Sequence, residues 1–197
     1  FRLPGKKKLQ PSDLEIEVVL VDVTEQPIED LKKAKALLQR QKEGHTQKAQ
    51  LIINPHNKQI LATAFGKGST HDFQLFKNSR SLIAPGIVCL ADSGYQGIGH
   101  LHPNSRIPHK KSKLHPLTPE QKAANRKLAA QRIAIEHVIA KIKVFRILSE
   151  RYRNRRARFS IRFNLVAAIY NSELVLNSLL QEAKGKEVVV RATASAA

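Results

Sequence analysis

The sequence is poor in the residues that stabilise secreted proteins and in the apolar runs that cross membranes. Its one cysteine, Cys89, lies within an apolar run, so an intramolecular disulfide is excluded and the thiol is predicted to be a buried core side chain. No apolar run approaches the roughly 20 residues that span a bilayer, and the N-terminus lacks a signal-peptide pattern. These absences predict a soluble protein of a reducing cytoplasm, with no membrane partner.

Acidic residues are also scarce. The chain has 16 Asp and Glu against 34 Lys and Arg, a formal net charge of +18, which predicts a polyanionic partner. Residues 98–162 hold seventeen Lys or Arg and three acids, so a net charge of +14 lies in one third of the chain. A solvated face would account for any single basic residue, whereas the whole block favours nucleic acid. The basic residues that we expect to contact phosphates are Arg132, Lys143, Arg146, Lys110, Lys111, Arg151, Arg153, Arg155 and Arg156.

The length of 197 residues is enough for one domain with a substantial core. We expect a basic leader over residues 1–14, the folded domain over 15–184 and a flexible tail over 185–197. Because the chain begins at Phe1 and contains no methionine, we also expect it to be a processed or excised product, or part of a longer reading frame.

Two apolar runs predict buried strands that each end at an aspartate. The first covers residues 16–21 and ends at Asp22, and the second covers 86–91 and ends at Asp92. The predicted elements between them are an exposed helical insertion at 29–42, hairpin strands at 46–53 and 58–65 around the turn formers at 54–57, and a short helix at 71–81.

The second half of the sequence predicts a long loop and two helices. Three prolines within 97–117 prevent a regular element and predict a functional loop. Its four histidines are scattered and lack cysteine partners, so zinc is not expected. Thr118, Pro119 and Gln121 form a capping-box pattern, from which a helix should run to about residue 148. A final amphipathic helix is predicted over 159–183, with Gly185 as its stop.

Three acids are candidates for a shared metal site. Asp22 and Asp92 end buried strands, where a carboxylate is costly unless it is paired. Glu136 lies on the first long helix, with Arg132 four residues before it and Lys143 seven residues after it on about the same face. Such a trio suits metal-dependent phosphoryl transfer. The alternative for Asp22 alone is a side chain that caps the loop after its strand.

Five short segments carry a family resemblance, and three of them contain one of these acids. They are DVTEQPI at 22–28, GHTQK at 44–48, GSTHD at 68–72, ADSGYQG at 91–97 and RIAIE at 132–136. Together with Lys143 and Arg146, they resemble the catalytic domain of DDE transposases of bacterial insertion sequences, in the branch numbered five. The resemblance covers about residues 16–172. It implies an α/β fold of the ribonuclease H-like type, a mixed sheet flanked by helices with a long C-terminal helical part.

The resemblance also implies an activity, which is the cleavage of DNA at the ends of an insertion sequence and strand transfer to target DNA. In the family, the acids at the positions of Asp22, Asp92 and Glu136 bind two Mg²⁺ ions, for which Mn²⁺ can substitute, and carboxylates suit such hard ions. The neighbours expected to support them are Glu25, His71 and Asp72. The implied setting is the bacterial cytoplasm, in association with the nucleoid, with a homodimer or larger assembly acting on DNA.

Departures from the family pattern keep other functions open. Val23 stands where the family usually has glycine, and Ala129 stands where it has tyrosine. A catalytically inactive or repurposed ribonuclease H-like DNA-binding protein is therefore an alternative, and so is a nuclease without a strand-transfer step. We also expect a helical DNA-binding domain ahead of Phe1, because the family usually carries one.

Overall fold

The computed structural model describes residues 16–29, 46–111 and 116–194. The strands are β1 Val18–Pro27, β2 Thr46–Ile53, β3 Ile60–Lys67, β4 Val88–Ala91 and β5 Ser105–Arg106. They form one sheet in the order β3-β2-β1-β4-β5. The β1–β2 and β2–β3 pairs are antiparallel, whereas β4 runs parallel to β1 and to β5. The mixed sheet and the hairpin expected from the sequence are thus confirmed.

The first strand is longer than the sequence pattern predicted. We expected it to end at Asp22, but β1 continues to Pro27 because its second half pairs with β2, from Asp22 opposite Leu51 to Pro27 opposite Thr46. This half contains buried polar side chains such as Gln26, and these interrupt the apolar sequence pattern from which the strand was predicted. Asp22 therefore lies inside a strand, and the interpretation of it as a loop cap is wrong.

The described residues form four α-helices: α1 Asp72–Ser79, α2 Pro119–Ile142, α3 Arg146–Ser149 and α4 Phe159–Ala194. The predicted capping box begins α2, since the Gln121 amide donates to Thr118 Oγ1 at 3.2 Å and the Thr118 amide donates to Gln121 Oε1 at 3.1 Å. Both amides would otherwise lack a partner at the helix start. No helix in the described ranges combines the length and apolarity of a membrane crossing.

Three boundaries differ from the prediction. The loop over 97–117 contains the short edge strand β5. The helix α2 ends at Ile142 and not near residue 148, and a turn leads into α3 so that Leu148 is buried while Val144 stays exposed. The helix α4 passes through Gly185 to Ala194, because one glycine costs a helix only about 1 kcal/mol and no proline follows it. The basic leader and nearly all of the insertion over 29–42 lie outside the described residues.

The sheet has a hydrophobic core on each face. On one face, Leu20 and Leu90 pack with Ile135 of α2 and Phe163 of α4. The opposite face packs with α1, and it buries Cys89, whose pKa is raised to about 12 by burial. The prediction of an inert core thiol is confirmed. Each fully buried Leu or Phe contributes roughly 1.5–3 kcal/mol, so the two cores hold the strand ends rigidly.

Part of the apolar stripe predicted for α4 is exposed. Phe163 and Val166 are buried as predicted. The exposed members are Leu165, Ile169, Leu176 and Leu180. Leu165 and Ile169 lie between buried residues and therefore face away from the core, whereas Leu176 and Leu180 lie beyond Leu174, which packs against the core.

The side chain of Asn171 covers the edge of the sheet. β3 is an edge strand, and its Ile60 amide donates to Asn171 Oδ1 at 2.9 Å while Asn171 Nδ2 donates to the Ile60 carbonyl at 2.8 Å. The amide group of Asn171 thus takes the place that a neighbouring strand would occupy.

We expect Asn171→Ala to lower the free energy of unfolding by about 1–3 kcal/mol, because two backbone groups in a half-buried site lose their partner. Chemical denaturation would measure the change. Asn78→Ala, which removes an exposed asparagine on α1, is the matched control and should change stability by less than about 0.5 kcal/mol. Equal effects of the two substitutions would contradict the assignment.

Candidate active site

Asp22 and Asp92 lie side by side on neighbouring strands. β1 and β4 run parallel with Val21 opposite Ala91, so the two aspartates occupy the next positions on strands about 4.8 Å apart. Leu20 and Leu90, two residues earlier, both belong to the core under α2. Because side chains alternate along a strand, both carboxylates lie on the α2 face of the sheet.

Arg132 of α2 joins the two carboxylates. Its Nη2 lies 3.1 Å from Asp22 Oδ2, and its Nη1 lies 3.4 Å from Asp92 Oδ1. The arginine side chain is 13% exposed, and its buried Nε has no hydrogen-bond partner among the described residues. From the sequence we expected Arg132 to contact phosphates, and this stays a prediction. In the structure its guanidinium bridges two acids.

The environment of Asp22 disfavours its charge. Burial raises the pKa of this carboxyl, and the charge of Asp92 raises it further. The hydrogen bond from the Val23 amide at 2.8 Å and the guanidinium of Arg132 lower it, but the net pKa is raised. A cation beside Asp22 therefore offsets part of the cost of its buried charge.

Glu136 lies on α2 one turn beyond Arg132, and α2 packs against β1 and β4. Its side chain is exposed, whereas Asp22 and Asp92 are half-buried. In the described ranges, no three His, Cys, Asp or Glu side chains lie close enough together to hold a metal. The structure thus brings together two of the three predicted acids, with the third on the neighbouring helix.

The turn after β4 crosses from one face of the sheet to the other. Asp92 accepts a hydrogen bond from the Ser93 amide and begins a 3₁₀ turn over Ser93–Tyr95. Gly94 lies against Asp72 of α1, since a Cβ on Gly94 would come within 2.8 Å of Asp72 Oδ2. Tyr95 is fully buried against Phe76, and burial raises the pKa of its hydroxyl strongly.

Sequence reasoning missed Lys48, which connects two of the predicted supporting residues. Its Nζ lies 2.8 Å from Asp72 Oδ1 and 3.3 Å from Glu25 Oε1. The same ammonium donates to the Thr70 carbonyl at 2.9 Å. Lys48 lies in the motif segment 44–48, but its position opposite Glu25 depends on the β1–β2 register, which only the fold shows. His71 is exposed and makes no side-chain cap.

The arginine-rich segment, residues 151–158 after α3, is fixed to the end of β1 by Tyr152. The Tyr152 amide donates to the Pro27 carbonyl at 2.8 Å, and the Glu29 amide donates to the Tyr152 carbonyl at 2.9 Å. The ring of Tyr152 is buried edge-on against Phe159. This tyrosine is therefore a core anchor and presents no aromatic surface to a ligand.

Most of the basic residues that we expected to contact phosphates are exposed. Arg146 pairs with Glu150 at 2.7 Å, and Arg153 lies 3.9 Å from Glu29 while remaining 77% exposed. Lys143 is half-buried at the end of α2. The exposed ones are Lys110, Lys111, Arg146, Arg151, Arg153, Arg155 and Arg156.

The mixed five-stranded sheet with helices on both faces is of the α/β class, and Arg132 of α2 joins two aspartates on its neighbouring parallel strands. The model of the DDE superfamily endonucleases matches residues 21–171, and the chain belongs to this family. This span contains all three predicted acids. The predicted resemblance to DDE-type insertion-sequence transposases is confirmed by this match and by the relative described next.

The chain is similar to a probable transposase for insertion sequence element IS702 from Microchaete diplosiphon. The two are 46% identical over 179 residues, which are 90% of this chain and 65% of that relative. The chain thus spans about two thirds of the relative's length. No solved structure matches the chain.

Proposed function

We propose that this chain carries the phosphoryl-transfer centre of an insertion-sequence transposase, which cleaves DNA at the element's ends and transfers the strands to target DNA. The proposal rests on Asp22 and Asp92, which are neighbours just beyond the last pair of the parallel β1–β4 ladder, Val21 opposite Ala91. Glu136 is proposed as the third acid, since it shares α2 with the arginine that contacts both aspartates.

We further propose a ribonuclease H-like catalytic domain over residues 15–184. The support is topological. Three antiparallel strands are followed by a parallel strand beside the first, and helices cover both faces. β1 and β4 run in the same direction, and Asp22 and Asp92 follow the point where their parallel pairing ends. Ligands of α/β proteins bind at the carboxyl ends of parallel strands.

The side chains of the proposed site offer the type of donor atom that divalent metals bind. Asp22 and Asp92 offer the hard carboxylate oxygens that Mg²⁺ and Mn²⁺ prefer, and they already share one cationic group. When bound, two such ions would activate the attacking oxygen and stabilise the leaving oxygen of a phosphodiester. We propose Asp22, Asp92 and Glu136 as their ligands.

The chain's own residues have separable tasks. The strands hold Asp22 and Asp92 in fixed register, so that neither carboxylate needs to be reoriented. The two-pronged guanidinium of Arg132 bridges the two carboxylates, and such a group can also bind a phosphate oxygen. Lys143, at the end of the same helix, supplies a second positive charge for the DNA backbone.

The arginine-rich segment is proposed as the DNA-backbone surface. Its arginine side chains are exposed, while the buried Tyr152 bonds to the backbone at the end of β1, the strand that bears Asp22. Guanidinium groups held on a rigid element position phosphates without reading base sequence. We expect the assembly on DNA to be a homodimer or larger, acting in the bacterial cytoplasm on the nucleoid.

The test is metal-dependent cleavage by the purified chain. Supercoiled plasmid and a linear duplex that ends in the element's terminal sequence would be incubated with Mg²⁺, Mn²⁺ or EDTA. We expect nicks and joined strands with either ion and none with EDTA. Nicking without joining would favour a nuclease that lacks strand transfer.

Replacing Arg153 and Arg155 by alanine should weaken DNA binding most at low salt. Each lost phosphate contact should reduce the slope of log K against log salt concentration by about 0.9. Fluorescence anisotropy at several salt concentrations would measure the slope. Lys77→Ala on α1, under the opposite face of the sheet, is the control and should leave the slope unchanged. An unchanged slope for the double variant would exclude the segment from the interface.

A catalytically inactive DNA-binding protein is the second candidate. The observation that favours it is the exposed Glu136, which forms no three-acid cluster with Asp22 and Asp92 in the described part of the chain. Under this alternative, wild type binds DNA with strong salt dependence and does not cut it with any divalent ion.

A further inference from the structure

A polar network lies on the α1 face of the sheet, opposite Asp22. Lys48 of β2 is its centre, with contacts to Asp72 at 2.8 Å, Glu25 at 3.3 Å and the Thr70 carbonyl at 2.9 Å. Thr46 Oγ1 donates to Glu25 Oε2 at 3.0 Å and completes the network. The side chain of Lys48 is 11% exposed and that of Asp72 27%, so the pair is largely removed from water.

The network is distinct from the apolar core on this face. Asp72, Glu25 and Lys48 are not among the residues of the apolar cluster that packs with α1. Burial lowers the pKa of Lys48, yet the hydrogen bonds and charges of Asp72 and Glu25 outweigh it and raise the pKa overall. The ammonium is thus firmly charged and holds the carboxylate of Asp72 in one orientation.

Asp72 in turn lies against the turn that carries Asp92. One of its oxygens is held by Lys48, and the other lies where a Cβ on Gly94 would come within 2.8 Å. Asp92 begins this turn two residues before Gly94, and Tyr95 ends it. The fixed carboxylate of Asp72 therefore forms a wall behind the turn, and only glycine fits against that wall.

Tyr95 gives a second observation at the same place. Its buried hydroxyl has no hydrogen-bond partner among the described residues, and the charges of Asp22, Asp72 and Asp92 all act on it. A buried hydroxyl without a hydrogen-bond partner thus lies beneath the turn, within electrostatic range of the three aspartates. The turn is supported from both faces, by Arg132 on one and by Lys48 and Asp72 on the other.

We propose that Lys48 and Asp72 are a positioning pair, which fixes the Ser93–Tyr95 turn through Gly94 and so holds the Asp92 carboxylate beside Asp22. The inference rests on the proposed function only in its consequence for metal binding. Lys48 touches neither Asp22 nor Asp92, and it acts through Asp72.

The first measurement uses the metal-free protein. Amide hydrogen exchange would be followed by mass spectrometry in Lys48→Met, Lys48→Arg and wild type. We expect Lys48→Met to raise exchange at residues 92–96 at least about tenfold while β2 and α2 stay as protected as in wild type. Lys48→Arg keeps the charge and should restore most of the protection. Exchange that rises equally across the sheet, or not at all, would overturn the proposal.

The second measurement is Mn²⁺ affinity, read from the electron paramagnetic resonance signal of free Mn²⁺ without DNA. Supporting groups around metal ligands are typically worth 10- to 100-fold in affinity, and we expect a loss in that range for Lys48→Met and a partial recovery for Lys48→Arg. The control Lys67→Met removes an exposed lysine of β3 and should match wild type. Wild-type affinity in Lys48→Met would overturn the proposal.

The two arms separate this inference from the proposed function. If wild type binds no Mn²⁺, the metal-dependent function fails, but the exchange data still decide whether Lys48 fixes the turn. If Lys48→Met does not fold, Asp72→Asn replaces it, because this variant keeps the shape and removes only the charge that Lys48 holds. Unchanged exchange at 92–96 in Asp72→Asn would equally count against the pair.

Discussion

Asp22→Asn should reduce Mg²⁺-dependent DNA nicking by roughly a hundred- to a thousandfold, the loss expected when a group that stabilises transition-state charge is removed. Asp92→Asn and Glu136→Gln should cause losses of the same order, since the proposed site uses the three acids as one unit. Nicking of supercoiled plasmid with Mg²⁺ or Mn²⁺ would measure them. DNA affinity should stay near that of wild type, because none of the three lies in the arginine-rich segment.

The control for these variants is Glu173→Gln, which changes an exposed glutamate on α4 and should retain wild-type activity. Glu136→Gln decides whether the site has a third acid. Glu136 is exposed and is not one of the two aspartates that Arg132 bridges. Full activity of Glu136→Gln would remove it from the site and leave only the two aspartates.

The same Asp22→Asn variant should be more stable than wild type at neutral pH without metal. The pKa of Asp22 is raised in the folded protein, chiefly by burial, so folding favours the protonated carboxyl. That contribution is present below the pKa of the unfolded chain and is lost as pH rises through the folded pKa, leaving a destabilising charge at pH 7. Asparagine removes this charge. The stability difference between the variant and wild type should shrink in acid.

Arg132→Ala should lower the free energy of unfolding of the metal-free protein by about 2 kcal/mol. The substitution leaves two adjacent, half-buried carboxylates without their shared cation, and removal of one partner from a buried ion pair costs several kcal/mol. Partial exposure of Asp92 reduces that figure. For a domain of this size the melting temperature should fall by about 5 °C.

Divalent metal gives Arg132→Ala a distinctive signature. Because the variant lacks the guanidinium, Mg²⁺ should raise its melting temperature more than it raises that of wild type. Arg132→Lys should recover part of the loss, since one ammonium does not span both carboxylates as a guanidinium does. Arg126→Ala, at an exposed site earlier on α2, is the control and should change stability by less than about 0.5 kcal/mol. Similar melting curves for the two alanine variants would contradict the bridging role.

Much of the fold could be predicted because its elements have local signals. The hairpin has turn formers at 54–57, α2 has its capping box, and β4 is an uninterrupted apolar run. The second half of β1 has no such signal, since polar residues fill it and only pairing with β2 makes it a strand. The end of α2 was equally invisible, because the turn before α3 is set by the burial of Leu148 in the core.

The acidic residues of the site could be predicted from the sequence, whereas the positions of its basic residues could not. Asp22 and Asp92 were evident as charges at apolar runs, and the parallel pairing of their strands brings them together. The bridging position of Arg132 could not be read from sequence, because helix periodicity gives a face and not the distance to a strand. Lys48 is one of many lysines in the chain, and only the fold distinguishes it by its three partners.

The side-chain amide of Asn171, which binds the backbone of the edge strand β3, has a consequence for solubility. A chain with this much positive charge is kept apart from its copies while it is free, but bound DNA would cancel that repulsion. Each of the copies crowded on one duplex would carry β3 at the edge of its sheet. An unblocked β3 would offer a template for strand-to-strand association, so loss of this one side chain should cause precipitation mainly when nucleic acid is present.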